Sequence, residues 1–298
     1  MKRTGILRRA LTLGMAFCLL WLCGCAGASQ DAGGADNQPP LAEASEGTDL
    51  EVLALAAGKA DAFLLTTANS AVLIDAGEKG FGKTVLAVLE EKGIQRLDYM
   101  IITHFDQDHV GGAARILNHF AVDHVLQNDC PKDSEEYEKY VKALSSAALE
   151  AVTVQETYSF TLDGVSYAVD PPRKNKYNED NSNNHSLIVS VRNGENDLLF
   201  MGDTQTERIS EFLSWNDQSY EVLKVPHHGK ADPLMADLIA SVSPVYAIIT
   251  SSDEEPEDES VLDALTGADV YLTRLGAVRL LCDGTDIRAE YTVTAEGE

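Results

Sequence analysis

Cysteine is scarce in this chain, and its placement matters more than its number. Of five cysteines in 298 residues, only Cys130 and Cys282 lie beyond residue 25. Two cysteines can form one bridge but not the framework that staples small secreted folds, so the fold must rest on a hydrophobic core. Either could equally serve as a small buried apolar side chain. Basic residues are also few: 23 Lys and Arg stand against 48 Asp and Glu. Four of the basic ones, Lys2, Arg3, Arg8 and Arg9, fall at the start. A field this acidic repels polyanions and excludes a general nucleic-acid-coating surface. Beyond Leu22 there is no apolar run long enough to cross a bilayer.

The N-terminus reads as a targeting segment. The basic start is followed by the apolar stretch Leu11 to Leu22, which is short for a membrane span. Leu22-Cys23-Gly24-Cys25 then resembles a bacterial lipoprotein cleavage box, with Cys25 as the lipidated residue. A plain secretory signal with incidental cysteines is the alternative. Residues 1–24 are therefore expected to be a lipoprotein signal peptide. Residues 25–47, rich in Gly, Ala, Ser, Asp and Asn, are expected to be a flexible tether. Residues 48–298 have the length of one large α/β domain.

What the chain does have is a dense run of metal-capable side chains. Thr103-His104-Phe105-Asp106-Gln107-Asp108-His109-Val110-Gly111-Gly112 follows the apolar run ending at Ile102. His104, Asp106, Asp108 and His109 stand within six residues, just past an expected buried strand. Such groups cannot be buried together without a partner, and a metal ion is the natural one. A polar surface turn is the bland alternative. Further candidates weaken it: His185 precedes the strand Ser186–Val191, Asp203 closes the strand Asp197–Asp203, and His227 and His228 close Glu221–Pro226. His119 and His124 read as ordinary helix-end and strand-side histidines.

The order H-x-D-x-D-H-x-G-G, Asn183-Asn184-x-Ser186-Leu187, Gly202-Asp203, and Leu223-Lys224-Val225-x-His227-His228-Gly229 resembles the metallo-β-lactamase fold superfamily. Within it, the pattern is similar to the hydrolase domain of ComEC-type competence proteins, in a stand-alone, lipoprotein-anchored form. Val72-Leu-Ile-Asp75-Ala-Gly77 matches the family's first motif. The resemblance implies a metallo-β-lactamase-like αββα sandwich, two mixed β-sheets with helices on the outer faces. The residues alone give only a mixed α/β pattern. The resemblance also implies metal ligands. His104, Asp106 and His185 would hold one ion. Asp108, His109 and one of the adjacent histidines, taken as His227, would hold a second, with Asp203 bridging. Asp108 and His228 would face the chemistry, and Asp75 would orient the ligand loop. Imidazoles suit Zn²⁺ and the carboxylates also suit Mn²⁺, so two zinc ions are expected, with manganese an alternative.

Three pieces depart from the family pattern: Gly58-Lys59-Ala60-Asp61-Ala62 early, Lys230-Ala231-Asp232 after the histidine pair, and Ser251 to Pro256 in place of a late His-Pro. With no second apolar span after the signal, the chain is not expected to carry the membrane channel of ComEC-type proteins. The implied function is an exported, membrane-tethered metal-dependent hydrolase, a phosphodiesterase or nuclease-like enzyme using a binuclear metal-activated water. A non-catalytic binding lipoprotein and a lactone or thioester hydrolase are the alternatives. The expected partners are a small or polymeric phosphodiester and, through the lipid, a membrane. No strong nucleic-acid surface is expected, and the protein is expected to be a monomer outside the cytoplasm.

Overall fold

Both faces of the central strands carry apolar side chains, and this dictates a layered structure. In β1 (Leu50–Ala54), Val52 and Ala54 point to one buried cluster and Leu53 to another. β2 (Phe63–Thr66) repeats the pattern, with Phe63 and Leu65 on one side and Leu64 on the other. Strands covered on both faces read as near-continuous hydrophobic runs. The structure, a computed structural model, describes residues 47–178 and 181–292. The expected signal peptide, the Cys25 box and all of the tether but Gly47 lie outside the described residues.

β1, β2 and β3 (Ala71–Ile74) form an antiparallel meander. Helix α1 (Gly82–Glu91) crosses to β4 (Arg96–Ile102), parallel to β3. The short α2 (Gln107–Val110) and α3 (Ala113–His119) lead to β5 (Ala121–Gln127), and α4 (Glu135–Ser146) leads to β6 (Ala151–Thr153). The Ser134 hydroxyl accepts from the Tyr137 N–H and caps α4. The second half opens with a hairpin, β7 (Tyr158–Leu162) and β8 (Val165–Asp170). Its Asp163-Gly164 turn has positive φ at both residues, the geometry that matches strand twist. Then follow α5 (Asn181–Asn184), β9 (Ile188–Asn193), β10 (Asn196–Phe200), α6 (Thr206–Trp215), β11 (Val222–Lys224) and α7 (Met235–Val242). β12 (Tyr246–Ile249), α8 (Glu259–Ala264) and β13 (Asp269–Leu272) complete that sheet. β14 (Val278–Cys282) and β15 (Ile287–Tyr291) return to the first sheet, where β14 pairs with β1.

The result is an eight-stranded sheet in the order β15-β14-β1-β2-β3-β4-β5-β6 and a seven-stranded sheet in the order β13-β12-β11-β10-β9-β8-β7. Phe63 meets Phe200 edge-on across the inter-sheet core at 5.2 Å. Val85, Leu89, Ile116 and Tyr140 from α1, α3 and α4 cover the first sheet, and Ile209, Phe212, Leu238 and Val261 from α6, α7 and α8 cover the second. Each such burial stabilises by about 1.5–3 kcal/mol relative to exposure. This is the expected αββα sandwich. Strand positions agree with the sequence reading to within two or three residues. The one-turn helices α2 and α5 and the three-residue β6 carried no periodic signal. Cys130 is half-buried and Cys282 buried, and both are free thiols.

The topology also fixes where a site can form. β3 and β4 in one sheet, and β10, β11 and β12 in the other, are parallel and end at a common edge. β2 and β9 run antiparallel to their neighbours and so begin there. Loops at the carboxyl ends of parallel strands are where such folds gather functional groups.

Candidate metal centre

β4 ends at Ile102, and the chain enters the edge at Thr103 and His104, both fully buried. Asp106 has extended backbone and precedes the single turn α2, which presents Asp108 and His109. The two glycines that follow are required by packing. A Cβ on Gly112 would stand 2.1 Å from the Ala76 carbonyl oxygen, and one on Gly111 would meet Gln107 and Lys79 backbone atoms at 2.4 Å. The ligand loop is thereby pressed onto the segment after β3. That segment begins with Asp75, fully buried and in the left-handed region at φ 57°. Its carboxylate accepts from the Thr103 N–H (2.8 Å), the Thr103 hydroxyl (2.7 Å) and His109 Nδ1 (2.8 Å). A carboxylate only accepts, so His109 carries a proton on Nδ1, and in the neutral ring Nε2 is the nitrogen left free for an ion.

Across the edge, Asp203 follows Gly202, whose φ of 53° and close approach to Ser186 suit glycine. One Asp203 oxygen lies 3.2 Å from His109 Nε2 and the other 3.0 Å from His228 Nε2. His228 Nε2 is also 3.3 Å from Asp108 Oδ2. His228 Nδ1 is 2.9 Å from both the Thr250 carbonyl and hydroxyl oxygens, past the end of β12. The His104 ring lies 4.0 Å from that of His109. The Nε2 atoms of His104, His109 and His228 are buried and have no hydrogen-bond partner. Buried polar atoms are seldom left so. The His109 and His228 nitrogens meet Asp203, and that of His228 also meets Asp108, a donor set that fits a metal ion by type and burial, with His104 stacked beside His109. Ligand atoms of Asp108, His109, Asp203 and His228 all lie within 4.8 Å of one another.

Charge reinforces this arrangement. Burial, together with His109 beside it, lowers His104 to about 4, so that imidazole is neutral at pH 7. Burial also disfavours charge on His109 and His228, but the surrounding carboxylates together outweigh it, Asp203, Asp75 and Asp61 for His109 and Asp203, Asp108 and Asp61 for His228, and both are raised. Asp203 and Asp108 are held low against burial, Asp203 by His228, His109 and Lys224 together and Asp108 by His228 and His109 together.

The remaining expected ligands stand to one side. Asp106 Oδ1 lies 3.9 Å from His104 Nε2 and is engaged by Lys132 Nζ and the Ser182 hydroxyl. His185 is buried, with Nδ1 2.6 Å from the Asn181 carbonyl and its ring edge-on to Tyr177 at 5.0 Å. It lines a cavity of about 370 Å³ with Pro171, Pro172 and Lys174. Asn128 donates to the carbonyls of both Thr103 and His185 and ties the two loops together.

The histidine pair needs a correction. His228, not His227, joins Asp108 and Asp203, while His227 is half-exposed at the mouth with Nδ1 3.0 Å from Gln205 Nε2. Both residues have positive φ, 49° and 54°, and this tight left-handed turn sends the second side chain inward. Sequence reasoning also missed Asp61 and Lys224. Asp61 stands in the segment noted only as a departure from the family pattern. Lys224 interrupts the apolar strand Val222–Val225, and a lone lysine in a central strand was the available signal.

The sequence profile of the Metallo-beta-lactamase superfamily matches residues 55–250. ComE operon protein 3 of Bacillus subtilis is 30% identical over 173 residues, covering 57% of this chain and 22% of that protein. Recombination protein 2 of Haemophilus influenzae is 26% identical over 211 residues, 69% of this chain and 25% of that protein. The chain thus spans about a quarter of the length of the curated relatives it matches. Among solved structures, the metallo-β-lactamase fold protein YhfI of Bacillus subtilis is similar with a TM-score of 0.51 at 11% identity, over 75% of this chain and 96% of its own. A variant of the β-hydroxylase CmlA gives a TM-score of 0.54 at 14% identity, over 78% and 54%. At such identities the likeness establishes the fold alone.

Proposed function

Because the chain belongs to the metallo-β-lactamase superfamily, we propose that it is a metal-dependent phosphodiesterase, exported and anchored to the membrane through a lipid on Cys25. One observation carries the reading: the buried Nε2 atoms of His109 and His228, with no hydrogen bond of their own, gather with Asp108 and Asp203 within 4.8 Å. The names of the relatives, a competence-operon protein and a recombination protein, favour a nucleic-acid-like phosphodiester over a lactone. The acidic composition argues for a small or single substrate strand rather than a coated polymer.

Asp108, His109, Asp203 and His228 would hold one ion, and His104, Asp106 and His185 a second beside Asp203. Imidazole ligation favours zinc, and the carboxylates keep manganese open. When bound, such ions lower the pKa of a water to about 7 and polarise a phosphoryl oxygen.

The chain's own residues prepare the edge for that chemistry. Asp75 and Thr250 fix the ring orientations of His109 and His228. Asp108 is the one member of the four-residue cluster that reaches solvent, 26% exposed against 4% or less for the others, and so faces a substrate. Among the described residues no helix is long and apolar enough to cross a membrane. Residues 48–298 would form the hydrolase domain behind the 25–47 tether.

The test is metal analysis of the purified protein followed by a panel of phosphodiesters, lactones and thioesters. We expect two transition-metal ions per chain and turnover of phosphodiesters alone. Less than one ion after reconstitution, or preferential lactone cleavage, defeats the reading.

A further inference from the structure

A lysine at the end of a central strand, flanked by β10 and β12, is out of place unless something holds its charge. Lys224 is 1% exposed. Its ammonium donates to Asp61 Oδ2 at 2.5 Å and to the Gly202 carbonyl at 2.8 Å, and it lies 3.5 Å from Asp203 Oδ1. An ammonium has three donors, and these acceptors use them. The other Asp61 oxygen accepts from the Thr250 hydroxyl at 2.6 Å, and that hydroxyl faces His228 Nδ1. Asp61, Asp75 and His109 form a second group with metal-binding geometry, and the Lys224 ammonium fills the cation position on its Asp61 side.

We infer that Lys224 is a positioning residue whose fixed ammonium holds the Gly202-Asp203 turn so that the two Asp203 oxygens face His109 and His228. The same ammonium closes the Asp61 side of the edge to a metal ion. The inference rests on reading the cluster as a metal centre. It adds that the cluster's geometry is set by an internal cation rather than by the ion it receives. Two bonds to the Gly202 carbonyl, from the Lys224 ammonium and from the His227 N–H at 3.2 Å, fix the backbone that leads into Asp203. Without the ammonium, the Asp203 carboxylate is free to rotate, and preorganisation for the ion is lost.

The test uses the full chain, stripped of metal with a chelator, and Zn²⁺ titrated against a competing chelator. Lys224→Met alone leaves Asp61 buried and unpaired, so the informative variant is Asp61→Asn/Lys224→Met, which removes both charges of the pair. Near-ultraviolet circular dichroism reports whether its packing is native. We expect a native-like double variant whose affinity for the first Zn²⁺ falls ten- to a hundredfold, the range for groups that orient ligands. A native-like double variant binding Zn²⁺ within threefold of wild type overturns the inference. So does a double variant that fails to fold, which would make the pair structural. A wild type that binds Zn²⁺ but cleaves no phosphodiester defeats the proposed function and leaves this inference standing.

Discussion

Replacing Asp75 with asparagine exchanges one oxygen for an NH₂ group and removes one charge, and its effect can be worked out atom by atom. Asn tolerates the left-handed backbone that Asp75 adopts at φ 57°, so the substitution adds little strain. Its carbonyl can still accept from the Thr103 N–H, as Oδ1 does now. The new NH₂ replaces Oδ2, which at present accepts from the Thr103 hydroxyl and from His109 Nδ1. The hydroxyl can rotate to accept. His109 can accept only by moving its proton from Nδ1 to Nε2, and a protonated Nε2 has no lone pair for an ion. Loss of such an orienting partner costs ten- to a hundredfold in metal affinity, or ~1.4–2.8 kcal/mol. Asp75→Asn should therefore fold and melt cooperatively, yet bind Zn²⁺ ten- to a hundredfold more weakly in chelator competition. Nitrogen-15 spectra of the metal-free variant should show the proton of His109 on Nε2. Wild-type affinity, or a proton that stays on Nδ1, would refute the tautomer argument.

Other outcomes follow from the same geometry. His228→Ala should lose the ion, whereas His227→Gly should keep it and gain up to ~1 kcal/mol of stability by relieving a left-handed backbone, and the reverse pattern in metal content and melting temperature would overturn the assignment. Metal-free protein should melt at lower temperature as pH rises above about 6.5, because His109 and His228 are raised in the fold and their stabilisation is lost as they deprotonate. Metal-loaded protein should lack this dependence, and a flat profile for both forms would contradict it. Cys25→Ala should abolish metabolic lipid labelling, and equal labelling of both proteins would remove the proposed anchor.

Much of the site could be read in the sequence because its ligands sit at strand ends that carry strong local signals. The run from Thr103 to Gly112 joins a buried strand to two glycines that only close packing explains. What could not be read depends on contacts between distant segments. The choice between His227 and His228 is made by two left-handed residues and by Thr250 on another strand. Asp61 has no local motif, and its partners Lys224 and Thr250 come 163 and 189 residues later. Asp106 was expected beside His104 and is so placed, but its engagement by Lys132 and Ser182 could not be foreseen, because neither stands in a periodic element that points there.

The sandwich divides the centre between its layers: Asp75, His104, Asp108 and His109 follow strands of one sheet, while Asp203 and His228 follow strands of the other. Neither half of the chain can assemble the four-residue cluster by itself. An ion shared by these residues would act as a rivet between the two layers, and its binding energy would count toward keeping them docked. The centre comes into being only with the completed domain, so the choice of metal belongs to whichever compartment the chain folds in. A chain threaded unfolded across a membrane would carry no ion with it. Its metal would be set by the ions waiting on the far side rather than by those the cell keeps within.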